Sequence, residues 1–187
     1  MSELCQLDDV KEYLGVTDTT TDTVLEDLIT RASAFVESYC NRIFASAGYT
    51  ETRNGGGGQK FFLFNGPVTD VSSVSVDGAV VPPSPDPRTY GFVFDDLMVY
   101  IRPGGSPGEF TKGIQNVTVC YAGGYATTPP DVAQACIELV AAKFAKRKRI
   151  DKSSETLGQQ QTQAYSLSDM PASVKTALQP YVRWNGR

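Results

Sequence analysis

The sequence has no histidine among its 187 residues. Histidine is the commonest general base near neutral pH and the commonest metal ligand. Its absence excludes Ser-His-Asp and Cys-His mechanisms. The four cysteines are widely spaced and include no Cys-x-x-Cys pair, which favours free thiols in a reducing compartment over a zinc site. We therefore predict a protein that is not an enzyme and that uses no cofactor and no metal.

The sequence also lacks a long uncharged apolar run and a basic-then-apolar N-terminal segment. Neither a membrane-spanning helix nor a signal peptide is therefore predicted. Hydrophobic residues make up 41% of the chain, which is sufficient for a core. A chain of this length is expected to form one domain, or one domain with an insertion.

Charge is distributed unevenly along the chain, although the net charge is only −4. Residues 1–51 carry ten acidic and three basic side chains, whereas residues 131–187 carry nine basic and five acidic ones. Such polarity indicates that charge orients a contact with another molecule, without identifying that molecule.

Apolar residues recur at helical spacing in three segments. The first runs from Leu7 to Gly15, the second begins at Asp22, and the third follows Pro129 and Pro130. The third segment is apolar on two sides, which is typical of a helix surrounded by neighbours. We predict that it is the central helix of a three-helix layer.

Alternating residues between positions 47 and 121 predict a small antiparallel β domain. The glycine run 55–58 is interpreted as a hairpin loop between its first two strands. It does not fit a phosphate-binding loop, because no Gly-Lys-Ser/Thr follows. Asp77-Gly78 is a strong hairpin signal, and Asp95-Asp96 is interpreted as a turn. The long loops rich in proline and glycine are candidates for contacts.

The sequence thus predicts an α+β fold: a three-helix layer, an inserted antiparallel β domain and an extended C-terminal tail. The boundaries are residues 1–46 for the N-terminal helices, 47–121 for the β domain, 122–152 for the central helix and 153–187 for a polar tether with an anchoring segment.

The tail leaves two interpretations open. Residues 153–168 have too few apolar side chains to fold alone, and a short apolar helix begins at Pro171. One interpretation is a mobile tether that anchors on a partner, and the other is a tail that folds back onto its own core.

The basic cluster at residues 143–152 has three interpretations. Cations at a helix C-terminus are favourable by themselves. They could also form a subunit interface with the acidic N-terminal helices, for which the candidates are Lys146, Arg147, Lys148, Arg149, Glu26 and Asp27. Direct DNA binding is less well supported, because the sequence pI is about 4.9 and aromatic residues are not interleaved with the bases.

Four segments together resemble the head–tail connector (neck adaptor) proteins of tailed bacteriophages. They are the opening helix at residues 7–15, the second helix at 22–44, and the strand, Gly-Gly turn, Pro-Pro-Asp and Ala-rich helix at 114–150. The fourth is the closing segment with Met170-Pro171 and Leu178–Tyr181. No single motif is a strict signature, and the resemblance depends on their order along nearly the whole chain.

This resemblance implies a structural protein of the virion neck, assembled in the host cytoplasm and without membrane contact. It implies a homo-oligomeric ring, expected to be a dodecamer, between the portal protein and a stopper or tail-completion protein. DNA would pass through the ring without being read. The family's C-terminal segment contacts the portal, so the candidates here are Tyr165, Val174, Leu178, Tyr181 and Trp184. The alternative function is a DNA-binding or packaging accessory domain that uses residues 143–152.

Overall fold

A computed structural model describes residues 3–147, 154–157, 161–164 and 170–183. The chain is mixed α and β, with antiparallel sheets, and it divides into two compact units. The helical unit combines Met1–Arg42 with Thr128–Arg187, and the β unit is Ile43–Thr127. The β unit is therefore inserted between two parts of the helical unit. Its limits lie outside the predicted boundaries 47 and 121.

The described residues of the helical unit form four α-helices: α1 Leu7–Leu14, α2 Asp22–Cys40, α3 Pro130–Lys146 and α4 Ala172–Leu178. A 3-10 turn, Gln179–Tyr181, follows α4. Helix α3 contacts the other three helices and buries apolar residues on several sides. A fourth helix therefore joins the three that the sequence assigns to the layer. None of the helices in the described residues is both long enough and apolar enough to cross a bilayer.

Local sequence explains where the first helices end. Gly15 has a φ of 66° and follows α1, and its N–H bonds to Glu12 O. Asn41 has a φ of 50° and ends α2 in the same left-handed conformation. Glycine and asparagine adopt this conformation at low cost, which makes them common at helix C-termini.

The β unit contains seven strands in two sheets. The strands are β1 Ala47–Gly55, β2 Lys60–Phe62, β3 Val68–Val76, β4 Ala79–Val81, β5 Gly91–Phe94, β6 Met98–Arg102 and β7 Gly113–Gly123. The four-stranded sheet has the order β1-β7-β3-β4, and the three-stranded sheet has the order β2-β6-β5. Side chains of both sheets meet in one core, which includes Phe61, Val74, Val99 and Val119 from the strands and Phe110 from the loop before β7.

Two predicted turns are confirmed. Asp77 and Gly78 have φ angles of 52° and 79°, as a two-residue hairpin turn requires, and they join β3 to β4. Between β5 and β6, the Asp95 carboxylate accepts the N–H groups of Leu97 and Met98 at 2.9 and 2.8 Å. Both turns depend on residues adjacent in sequence, which is why sequence alone predicted them.

The glycine run does not form the predicted hairpin. Strand β1 pairs with β7, and β2 pairs with β6, so residues 55–58 cross from one sheet to the other. The N–H of Gly57 donates to Phe110 O at 2.7 Å, and a Cβ on Gly55 would collide with the Thr111 carbonyl. Glycine is required at Gly55 by this close approach and favoured at Gly57 by its φ of 76°, whereas a Cβ at Gly56 or Gly58 would meet no other atom within 4 Å.

The proline-rich loop between β4 and β5 lies against β5. Phe92 N–H donates to Pro82 O at 2.8 Å, and Ser84 N–H donates to Phe92 O at 2.9 Å. Arg102 Nη1 donates to Asp86 O at 2.5 Å. The two backbone bonds of Phe92 extend the edge of the three-stranded sheet, and the Arg102 side chain holds the loop further along, so this part of the loop has a structural role.

The segment predicted to be a polar tether contains two short strands, β8 Ser154–Leu157 and β9 Gln161–Ala164. They pair antiparallel, with Thr156 opposite Thr162. Within the predicted tail, these residues therefore pair with each other. Backbone hydrogen bonds alone can pair two polar strands, although such an isolated hairpin is only marginally stable.

Candidate functional site

The end of α3 presents the described part of the basic cluster. Lys146 and Arg147 are exposed. Two of the cations lie over aromatic rings: Lys143 Nζ is 5.1 Å from the centre of the Phe35 ring, and the Arg147 guanidinium carbon is 4.6 Å from that of Phe144. Such contacts hold the cations near the helix end, where the helix dipole also favours positive charge. Lys148 and Arg149 lie outside the described residues.

The acidic candidates lie on α2. Glu26 and Asp27 are both exposed. Asp27 Oδ2 is 3.4 Å from Arg31 Nη2, and the two side chains are 66% and 71% exposed. An ion pair this exposed contributes little, about 0.2–1 kcal/mol, so a base on another molecule could replace Arg31 at small cost.

The C-terminal candidates are placed differently from the prediction. Val174 and Leu178 are fully buried, at 0% exposure, where α4 packs against α3. The interpretation of a tail free to anchor elsewhere is thus wrong for these two residues, which complete the core of their own chain. Burial of an apolar helix face against α3 gives the physical reason. Tyr165 and Trp184 lie outside the described residues.

Polar contacts also attach the C-terminal segment to the helical unit. Tyr181 Oη donates to Asp131 Oδ2 at 3.1 Å, and Ser173 Oγ donates to Glu138 Oε2 at 2.8 Å. The N–H of Arg183 donates to Cys40 O at 3.0 Å. Tyr181 is half-buried, so part of this candidate remains accessible to a partner.

The structure reveals an apolar surface that the sequence analysis missed. Four large apolar side chains lie around one end of the three-stranded sheet, and each is about two-fifths exposed. We call this group the apolar rim. Its members are Phe62 (42% exposed), Phe64 (46%), Phe94 (39%) and Leu97 (41%). Phe62 pairs with Met98, and Leu63 N–H donates to Leu97 O at 2.8 Å, which brings these segments together. Residues 61–64 are apolar at every position, so alternation had to expose two of them.

A polar network beneath the rim fixes the position of Phe64. The Arg53 guanidinium lies 4.1 Å from the Phe64 ring centre and 3.0 Å from Glu51 Oε2. Glu51 Oε1 accepts the N–H of Phe64 at 2.9 Å and also accepts the Tyr121 hydroxyl. Burial and this hydrogen bond raise the pKa of Tyr121 well above its ordinary value. The Phe64 part of the rim is therefore held by the side chains of Glu51 and Arg53.

The described residues contain no group of three or more side chains suited to hold a metal ion. Three features stand out on their surface. They are the acidic patch of Glu26 and Asp27 on α2, the basic end of α3 with Lys146 and Arg147, and the apolar rim. Such features suit contacts with other macromolecules.

Comparison with known proteins gives one family match. The family model for head completion protein matches residues 3–184. No curated protein matches the chain.

Among solved structures, a chain from the neck of an empty gene transfer agent (GTA) particle, computed with C6 symmetry, has a TM-score of 0.59 and 18% identity. That alignment covers 98% of this chain and 93% of the other. The neck of the native particle, computed with C12 symmetry, gives 0.53 and 19%, covering 97% and 91%. The virion of the native particle gives 0.57 and 22%, covering 98% and 93%. At these identities the similarity shows a shared fold.

Proposed function

Since the chain belongs to the head completion protein family, we propose that it is the head–tail connector of a tailed phage or a phage-like particle. It forms a ring in the neck, between the portal protein and a stopper or tail-completion protein. DNA passes through the lumen of that ring without being read. The protein is structural, and it acts in the virion by joining two larger assemblies.

The observation that carries this proposal is the extent of the family match. It spans residues 3–184, and therefore includes both units and the C-terminal helix α4. The similar neck structures were computed with C6 and C12 symmetry, which supports a ring of repeated copies, with twelve as the expected number.

A closed ring requires two different surfaces on each subunit, one for each neighbour. The acidic patch of Glu26 and Asp27 and the basic end of α3 with Lys146 and Arg147 meet this requirement. We propose that they face each other across the interface. Exposed opposite charges of this kind set orientation and speed association more than they add affinity.

The apolar rim is the proposed contact surface for a neighbouring neck protein. Exposed aromatic side chains resemble the residues that dominate binding energy in interfaces. Phe62 and Phe64 project from a segment held by Arg53, Glu51 and Tyr121, so little conformational entropy is lost when a partner covers them.

Electron microscopy of the purified protein, with and without its portal protein, tests this proposal. We expect closed rings that dock coaxially on the portal, and light scattering should report one large oligomer. A protein that stays monomeric and does not bind the portal protein would refute the proposal. If that monomer also bound free duplex DNA in a salt-dependent manner, the alternative of a DNA-binding or packaging accessory domain would be favoured.

A further inference from the structure

Two thiols that are distant in sequence meet in the core of the helical unit. Cys5 Sγ lies 3.4 Å from Cys136 Sγ, and the two residues are 131 positions apart. Cys5 is 2% exposed and Cys136 is 0% exposed. Cys5 precedes α1 and Cys136 lies within α3, so this contact attaches the N-terminal segment to the central helix.

A buried serine completes the contact. Ser33 is 2% exposed, and its Oγ lies 3.7 Å from Cys136 Sγ. The same hydroxyl accepts the N–H of Leu4 at 3.0 Å. Hydrogen bonds from Cys5 and Ser33 lower the pKa of Cys136, whereas the hydrogen bond to Cys136 and burial raise the pKa of Cys5. In the folded structure, the thiol of Cys136 therefore loses its proton more readily than the thiol of Cys5.

We propose that Cys5 and Cys136 are a latent disulfide site, at which oxidation covalently locks the N-terminal segment onto α3. Both cysteines are reduced in this structure. A disulfide bond is about 2.05 Å long, so the two sulfurs need to approach each other by only about 1.3 Å. This inference depends on the helical unit alone, and it is independent of the proposed function.

The oxidant is a small-molecule disulfide such as oxidised glutathione, and the reaction has two exchange steps. Local opening of the segment before α1 exposes Cys5, whose thiolate attacks one glutathione sulfur and releases one glutathione thiolate. As the segment returns toward α3, the Cys136 thiolate attacks the Cys5 sulfur of the mixed disulfide and expels the second glutathione into solvent before the segment packs fully. The two cysteines lose two electrons and two protons, and oxidised glutathione gains them to give two glutathione thiols.

The remaining cysteines provide matched controls. Cys40 is buried at 0% exposure and is also a free thiol. Cys120 is half-buried on β7, with its Sγ 3.5 Å from Thr50 Oγ1. A cross-link that merely followed thiol accessibility would involve Cys120 before the two buried cysteines.

The experiment treats the folded, full-length protein with oxidised glutathione, blocks the remaining thiols, and maps tryptic peptides by mass spectrometry without reduction. We expect peptide 1–11 to be joined to peptide 113–143. Since the second peptide contains both Cys120 and Cys136, the link should persist in Cys120→Ser and Cys40→Ser and disappear in Cys5→Ser and Cys136→Ser. The link should also raise the melting temperature by several degrees, reversibly with dithiothreitol.

Two results would overturn the proposal. One is stable glutathione on Cys5 without a cross-link. The other is a cross-link that forms equally well in urea, where the folded geometry is absent. If Cys5→Ser or Cys136→Ser fails to fold, the wild-type protein and Cys120→Ser still decide the question, because Cys120→Ser leaves one cysteine in peptide 113–143.

Discussion

The strongest test of the structure is the substitution Leu178→Ala in α4. Leu178 is fully buried where this short helix packs on α3. Leucine and alanine are both good helix formers, so the substitution changes packing and hardly changes helix propensity. The measured loss of stability therefore reports whether α4 is part of the core of the isolated chain.

The expected magnitude follows from the degree of burial. Replacing a fully buried leucine by alanine costs about 2–5 kcal/mol, because apolar contact is lost and a cavity remains. A protein of this size is expected to have a total stability of about 5–15 kcal/mol, so the variant should fold but be clearly weakened. Each kcal/mol corresponds to a decrease of about 2–4 °C in melting temperature.

Circular dichroism at a helix-sensitive wavelength, followed during heating and urea titration, measures this loss. Lys175→Ala is the matched control, because Lys175 is exposed on the same helix and its replacement should change stability by less than about 0.5 kcal/mol. If Leu178→Ala behaves like this control, α4 does not hold the core together. The interpretation that the C-terminal tail anchors on a partner would then be favoured.

Three further predictions follow from individual contacts. Arg147→Glu should reduce ring formation in light scattering while leaving the melting temperature nearly unchanged, and Lys175→Glu, a reversal of the same charge elsewhere, should not reduce it. Ser33→Ala should cost about 1–3 kcal/mol in urea unfolding, because it leaves a buried N–H without its acceptor. The raised pKa of Tyr121 means that the folded state resists its ionisation, so stability should decrease as the pH rises above about 10. Tyr121→Phe should show a shallower decrease in alkaline unfolding curves.

Sequence predicted the features that depend on neighbouring residues. The helices, the Asp77-Gly78 hairpin and the alternation of β7 were recovered because helical periodicity and turn geometry are local. Strand β3 does not alternate strictly, because its pairing with β7 is interrupted by two register shifts. The resemblance to head–tail connectors is confirmed by the family match. It could be recognised because its motifs occur in order along almost the whole chain.

Sequence did not predict which strands would pair. The glycine run was consistent with a hairpin between β1 and β2, but β1 pairs with β7, whose residues come about 60–75 positions later. The partner of a strand is decided by which distant strand buries its apolar face, and local composition carries little information about that. The apolar rim was missed for a related reason, since only the folded sheets show which phenylalanines face outward.

Because α4 packs on its own chain, a portal contact in the C-terminal segment would have to involve residues other than the buried face of α4. Helix α3 ends at Lys146, and α4 packs back on that same helix, so the intervening chain is held at both ends by the helical unit. Val174 and Leu178 are already buried and have no apolar surface left to offer. Between the two helices, the described residues form the hairpin of β8 and β9, and the outer edges of a two-stranded ribbon can accept a further strand. We therefore expect a portal to bind this segment by pairing with a hairpin edge, which would also stabilise strands that are only marginal alone.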